Sequence, residues 1–178
     1  MPAKIIIAQM DRLILRRFCE EDLQDLYAYL SDEEVVKFEP YRAMDMGQVQ
    51  QELSRKTSTE EMIAVELKES GNLIGNLYLG KRAFNTRELG YVFNKAYWGQ
   101  GYARESCEAI LDKAFQEGVH RIYAECDPDN AASWGLLERL GFAREACFRK
   151  NVYFWKDDQG EPIWKDTFVY ARLKTSEN

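Results

Sequence analysis

Histidine is almost missing from this chain: His120 is the only one among 178 residues. A serine–histidine–acid triad would have to use it, and its place in a turn before a strand reads as a solvent-exposed position. Cys19, Cys107, Cys126 and Cys147 stand far apart, with no CxxC pair and no companion histidines. That spacing excludes a zinc site or a disulfide framework, no metal is expected, and scattered free thiols suit a reducing cytosol. Long apolar runs are absent as well. Stretches such as Ile5 to Ala8 are far too short to span a bilayer, so no membrane partner is expected. The opening MPAKIIIAQMDR has neither an adequate apolar core nor a small-residue cleavage site, so no signal peptide is expected and the cytoplasm is the expected location. Positive charge is in deficit, with a formal net charge of −6. This argues against nonspecific nucleic-acid binding. An anionic ligand must then be met by local backbone donors, and a cationic substrate is mildly favoured.

What is present reads as a globular chain. Hydrophobic residues make up 46% and charged residues 30%, with only 4 prolines. The length suits one well-cored domain over residues 1–178. RLILRR at Arg12 to Arg17 reads as a strand, and Leu23, Leu26, Tyr27 and Leu30 repeat at helical offsets. Asp45 and Gln48 resemble a capping box for a second helix, which an aromatic-rich loop around Phe38, Pro40 and Tyr41 precedes. Met62 to Leu67 and Leu73 to Leu79 flank a polar glycine turn and predict a hairpin. Further strands are expected at Arg87 to Asn94, Arg121 to Cys126, Arg144 to Trp155 and Thr167 to Leu173, with helices from Ala103 and over Ala131 to Leu140. The order β-α-α-β-β-β-α-β-α-β-β predicts an α/β domain of the α+β type, with one mixed, largely antiparallel sheet flanked by helices.

The stretch YWGQGYARESCEAILDKAF at Tyr97 to Phe115 is the informative one. From Ala103 its apolar residues Cys107, Ile110, Leu111, Ala114 and Phe115 form one stripe of an amphipathic helix. Its start is stripped of side chains at Gly99 and Gly101. First-turn amides have no intrahelical acceptors and the helix dipole adds about half a positive charge there, so bare backbone can meet a phosphate directly. The alternative is that the glycines serve only a tight strand-to-helix turn. A Walker loop is excluded because no lysine follows, and a dinucleotide fingerprint because Arg104 stands where a glycine is needed.

ELGYVFNKAYWGQGYARES, followed by DPDNAASWGLLERLGF at Asp127 to Phe142, resembles the GNAT acetyltransferase superfamily, and within it the ribosomal-protein N-terminal acetyltransferase (RimJ/RimL-like) branch. The likeness runs from RLILRRFCEEDL to WKDTFVYARL. It implies the GNAT acyl-CoA N-acyltransferase fold and acetyl-CoA as co-substrate. The family's Gln/Arg-x-x-Gly-x-Gly/Ala signature falls on Trp98, Gly99, Gln100, Gly101, Tyr102 and Ala103, with Trp98 departing at the first position. By resemblance, the amides of Gln100 to Ala103 hold the coenzyme A pyrophosphate. The backbones of Val92 and Phe93 would pair with the pantetheine arm and polarise the thioester carbonyl. Asn130 would bond the pantetheine while also capping the helix it precedes. Ser133 could reach the sulfur or a phosphate, and Arg139 is a candidate for the 3′-phosphate.

The implied reaction is direct attack of an amine on the thioester, without a covalent enzyme intermediate. An α-amine of pKa near 7.7–8.0 loses only about 1 kcal/mol to protonation at pH 7, whereas a lysine near 10.4 loses about 4–5 kcal/mol. Glu88 occupies the position often assigned as base in the family, although an exposed strand-edge carboxylate is an equal alternative. Leu137 replaces the family tyrosine that protonates the thiolate, leaving Ser133 as substitute acid. Cys126 reads as a small buried residue. Phe38, Tyr41, Tyr153, Trp155 and Trp164 are expected to line the acceptor pocket. The favoured acceptor is the α-amine of a protein or peptide, with small amines such as polyamines, amino acids or aminoglycosides behind it. A non-catalytic acyl-CoA sensor is the alternative of a different class. Homodimers are common among the look-alikes.

Overall fold

Two of the helices begin where a side chain caps them. Asp45 accepts from the Gln48 N–H at 2.9 Å and the Gln48 side chain accepts from the Asp45 N–H at 3.0 Å, so the capping box read from the sequence starts a helix at Met46. Asn130 accepts from the Ser133 N–H at 3.2 Å and starts another at Ala131. Gly141 adopts φ +81° just past that helix and ends it.

The computed structural model describes residues 4–175. Its elements are β1 (Ile6–Gln9), β2 (Leu13–Arg16), α1 (Leu23–Leu30), α2 (Met46–Thr57), β3 (Met62–Leu67), β4 (Leu73–Arg82), β5 (Thr86–Phe93), α3 (Tyr102–Gln116), β6 (Arg121–Cys126), α4 (Ala131–Arg139), β7 (Ala143–Val152) and β8 (Lys165–Leu173). Met1, Pro2 and Ala3, where the expectation of no leader begins, lie outside the described residues. The eight strands form one sheet in the order β1-β2-β3-β4-β5-β6-β8-β7. Every pairing is antiparallel except β5 with β6. The mixed, largely antiparallel sheet flanked by four helices is therefore as expected, with β1 added at one edge.

Each face of the sheet has its own core. Leu26, Leu30, Val49 and Leu53 of α1 and α2 cover one face, while Cys107, Ile110, Leu111 and Leu136 of α3 and α4 cover the other. Central β3 is buried along its whole length. Arg16 is 1% exposed yet doubly paired: it donates to Asp22 at 2.7 and 2.9 Å and also to Glu66. Those partners outweigh burial and hold the guanidinium firmly protonated. Removing one side of such a buried pair is destabilising by about 3–5 kcal/mol, because the other charge is left unmatched.

The parallel pairing shapes the site. It covers only Thr86 to Glu88 against Arg121 to Tyr123. Beyond it β5 and β6 part, and the crevice at their C-terminal ends is where open α/β sheets bind ligands.

Candidate active site

The parting of β5 and β6 opens a cleft of about 1430 Å³ running from the α3 N-terminus to the loop before α2. At its α3 end the polypeptide is bare. Gly99 and Gly101 adopt φ of +72° and +83°, the left-handed region that glycine enters without strain. A Cβ on Gly99 would meet nothing within 4 Å. Gly101 is the N-cap of α3 and supplies no side-chain hydrogen bond, unlike Asp45 and Asn130 at α2 and α4. The first-turn amides of α3 thus reach the cleft without a side-chain acceptor, the arrangement that receives an anion. Gln100 does not line the cleft; its side chain turns back to donate to the Ala96 carbonyl at 3.2 Å. Trp98 does line it, and its indole N–H donates to the Phe93 carbonyl at 2.8 Å, tying the glycine loop to β5.

The register of β5 decides which of its backbone groups are free. The Asn94 N–H donates to the Ile74 carbonyl at 2.9 Å, and Asn76 pairs with Val92 two residues on. Antiparallel alternation then turns the Val92 N–H and C=O toward β4 and those of Tyr91 and Phe93 toward the open edge. This corrects the expected role of Val92, whose backbone is occupied by the sheet. The Phe93 N–H faces the open edge, with its carbonyl accepting from the Trp98 indole, and the Tyr91 N–H faces the same way.

Side chains sort by the same alternation. The Tyr91 hydroxyl donates to the Ser133 carbonyl at 2.9 Å and lies 3.0 Å from the Ser133 hydroxyl. Burial raises its pKa although the Ser133 bond lowers it, so the phenol keeps its proton. Asn130, Ser133 and Arg139 all line this wall, and no carboxylate pairs with Arg139 among the described residues. Leu137 is fully buried in the core, so its position contributes nothing to the cleft. Cys126 lines the cleft and is half-buried, which corrects its reading as a buried residue. Burial and the Asp127 charge push its thiol up to about 11, so it is no thiolate nucleophile at neutral pH.

Glu88 lines the cleft from the opposite face of β5. Its carboxylate pairs with Arg82 and accepts from the Tyr123 hydroxyl at 3.2 Å. Arg82 also donates to the Tyr78 hydroxyl at 3.2 Å. Tyr78 lies flat over Gly80, where any Cβ would strike the phenol. Across the cleft, burial pushes the Glu39 carboxyl up to about 7, against the charge of Lys56 and a hydrogen bond from Tyr41. Burial and the Glu88 charge likewise raise Glu125.

Phe38 and Tyr41 line the cleft as expected, but Tyr153, Trp155 and Trp164 do not. Tyr153 and Trp164 stack edge to face at 5.2 Å on the exposed β7–β8 connection, and Trp155 carries Arg42 over its ring at 4.4 Å. Aromatic side chains in that connection pair with one another, and Phe154 enters the lining instead. Sequence reasoning also missed Arg82, Tyr91, Tyr123, Glu39 and Glu125. For Tyr91 and Glu88, the alternation of ELGYVF carried a signal that they face opposite sides; for the others the strand register had to be known.

The geometry agrees with the comparisons. The acetyltransferase (GNAT) domain family model matches residues 12–143. A Bacillus subtilis protein named as the uncharacterized N-acetyltransferase YnaD is 34% identical over 173 residues, covering 94% of this chain and 96% of that protein. A GNAT-family acetyltransferase structure from Bacillus anthracis superimposes with a TM-score of 0.84 at 31% identity, covering 95% of this chain and 98% of that one. Two structures at 20% identity share the fold. One is a Salmonella typhimurium acetyl transferase described as modifying the N-terminal serine of ribosomal protein L7/L12 (TM-score 0.80, 94% and 98% covered). The other is a Vibrio cholerae spermidine N-acetyltransferase in complex with CoA and spermine (TM-score 0.75, 93% and 97% covered). A cleft between parted strands, walled by an uncapped glycine-led helix and an open strand edge, and a domain match over most of the chain lead to one conclusion: the protein belongs to the GNAT acetyltransferase family and is an N-acetyltransferase.

Proposed function

We propose that the chain transfers the acetyl group of acetyl-CoA to an amine, with the N-terminal α-amine of a protein or peptide as favoured acceptor, in the manner of the ribosomal-protein (RimJ/RimL-like) branch. The observation that carries this reading is the continuity of the cleft. One trough joins the uncapped α3 N-terminus, the free N–H groups of Tyr91 and Phe93, and the carboxylate of Glu88.

Bound acetyl-CoA would supply an electrophilic acyl carbon and a thiolate leaving group. The first-turn amides of α3 hold the diphosphate, and Arg139 stands within the cleft for a further phosphate. Phe93 and Tyr91 offer N–H groups to the pantetheine arm and to the thioester oxygen, where developing negative charge makes a fixed donor worth most. Asn130 is committed to capping α4 and can meet the arm only with its remaining capacity. Tyr91 and Ser133, hydrogen-bonded together, would supply the proton for the thiolate, in place of the tyrosine that Leu137 replaces. Glu88, held by Arg82 and Tyr123, receives the amine proton directly or through water. Holding amine and thioester in line supplies much of the rate, on the order of 7–11 kcal/mol for a well-aligned pair.

A small polyamine or diamine is the second reading. Glu39, Glu88 and Glu125 ring the acceptor end with carboxylates, which suits an acceptor carrying a second positive charge. Thiol release from acetyl-CoA, measured with free and N-blocked peptides and with a panel of amines, separates the two. Turnover confined to unblocked peptides is the expected result. Tight CoA binding without turnover of any amine would replace the enzyme by a sensor, and no calorimetric uptake of CoA would remove the cofactor assignment.

A further inference from the structure

Arg12, in the turn between β1 and β2, takes no part in the mechanism above, yet it contacts the end of the glycine loop and the first turn of α3. Its Nε donates to Glu105 Oε2 at 2.7 Å, Nη2 forms an ion pair with the same oxygen at 2.7 Å, and Nη1 donates to the Gln100 carbonyl at 3.0 Å. The guanidinium lies 4.4 Å from the centroid of the Tyr102 ring. Its Nη2 is also the atom a Cβ on Gly101 would meet, at 3.5 Å. One side chain therefore braces Gln100, Gly101, Tyr102 and Glu105 across 88 or more residues of sequence.

Two physical consequences follow. Glycines are the least constrained residues in the backbone, so an unbraced Gly99–Gly101 loop would spread its amides over many orientations. Glu105 places a carboxylate in the first turn of α3, which favours the helix dipole but repels an incoming anion; a guanidinium in contact cancels that repulsion. Arg12 is 45% exposed, and an ion pair so open to water contributes little to fold stability. Its contacts matter more for the loop than for the fold.

We infer that Arg12 is a positioning residue for the diphosphate cradle: it fixes the glycine loop and masks Glu105, so that the donor's diphosphate meets converging amides and no free carboxylate. The inference rests on the proposed diphosphate site at α3. Calorimetric titration of the full chain with CoA tests it, alongside melting temperatures without ligand. Arg12→Ala is expected to weaken CoA binding at least tenfold while melting close to wild type. Arg12→Lys, which keeps the charge but cannot reach Glu105 and Gln100 in the same fork, should fall between. Arg12→Ala with Glu105→Gln should bind at least threefold more tightly than Arg12→Ala alone, a recovery that loss of packing would not produce. Binding by Arg12→Ala within twofold of wild type, or no recovery in the double variant, overturns the inference. Should Arg12→Ala not fold, Arg12→Lys decides: at least threefold weakening supports the inference and wild-type affinity overturns it. A wild-type chain that takes up no CoA refutes the donor assignment first, and this inference with it.

Discussion

The Glu88 carboxylate is held in place by Arg82 and by the Tyr123 hydroxyl, and an α-amine already about a tenth neutral at pH 7 asks little of a base. Glu88→Gln is therefore expected to slow acetylation of an α-amine most at pH 6 and progressively less toward pH 9, where the amine arrives deprotonated. Thiol release followed across that range checks it, and full activity at every pH would remove Glu88 from the mechanism. Glu39 gives a second, independent pH signature. Its folded pKa of about 7 lies above the ordinary 4.5, so the native state holds the proton more tightly than the unfolded chain does. The stabilisation that this gives is complete below about pH 4.5 and is lost as pH rises through 7. Melting curves of Glu39→Gln, which cannot ionise, should gain on wild type between pH 5 and pH 8. A constant difference across that interval would mean that Glu39 is solvated.

Strand β5 shows what an element adds that no residue list contains. Its alternation predicts a specific amide-exchange pattern. The Val92 N–H, paired to β4, should exchange slowly in the free protein, while Tyr91 and Phe93 should exchange faster and slow on addition of CoA. Equal protection of all three before ligand would refute the open edge. The same element marks the limit of reading a sequence. Helices α2 and α4 were legible because Asp45, Gln48, Asn130 and Gly141 announce their ends by local hydrogen bonding and φ, and so was the bare start of α3. Strand β1 was not. Its four residues have no alternation, are at most half-buried, and are held in place by an irregular pairing to β2. The Arg82 clamp on Glu88 was hidden for a related reason. Arg82 meets Glu88 only because the β4–β5 hairpin turns over Ala83 to Asn85, where Phe84 and Asn85 take positive φ without a glycine to signal it. Tyr153, Trp155 and Trp164 failed as pocket residues because aromatic composition does not say which way a long connection folds.

At the scale of the whole molecule, the sheet is two blocks sharing a narrow seam. In the backbone ladder of the sheet, strands β1 to β5 join strands β6 to β8 only through the three parallel pairs of β5 with β6. The core beneath α3 and α4 crosses that seam with residues from both sides. A ligand lying along the cleft would touch both blocks, and anything binding only the folded state stabilises it by mass action. At a hundredfold excess over Kd the gain is about 2.7 kcal/mol, which for a chain of this length raises Tm by roughly 5–10 °C. CoA is expected to give a shift of that size in a thermal melt. Gly99→Ala then separates the cradle from general stability. The new methyl meets no atom within 4 Å, so the substitution introduces only the strain of a positive φ, about 1–2 kcal/mol, and lowers Tm modestly without ligand. It also places a Cβ where the diphosphate must approach, so the CoA-induced shift should shrink by more than half. A Gly99→Ala variant with the full wild-type shift would mean that the diphosphate lies elsewhere in the cleft.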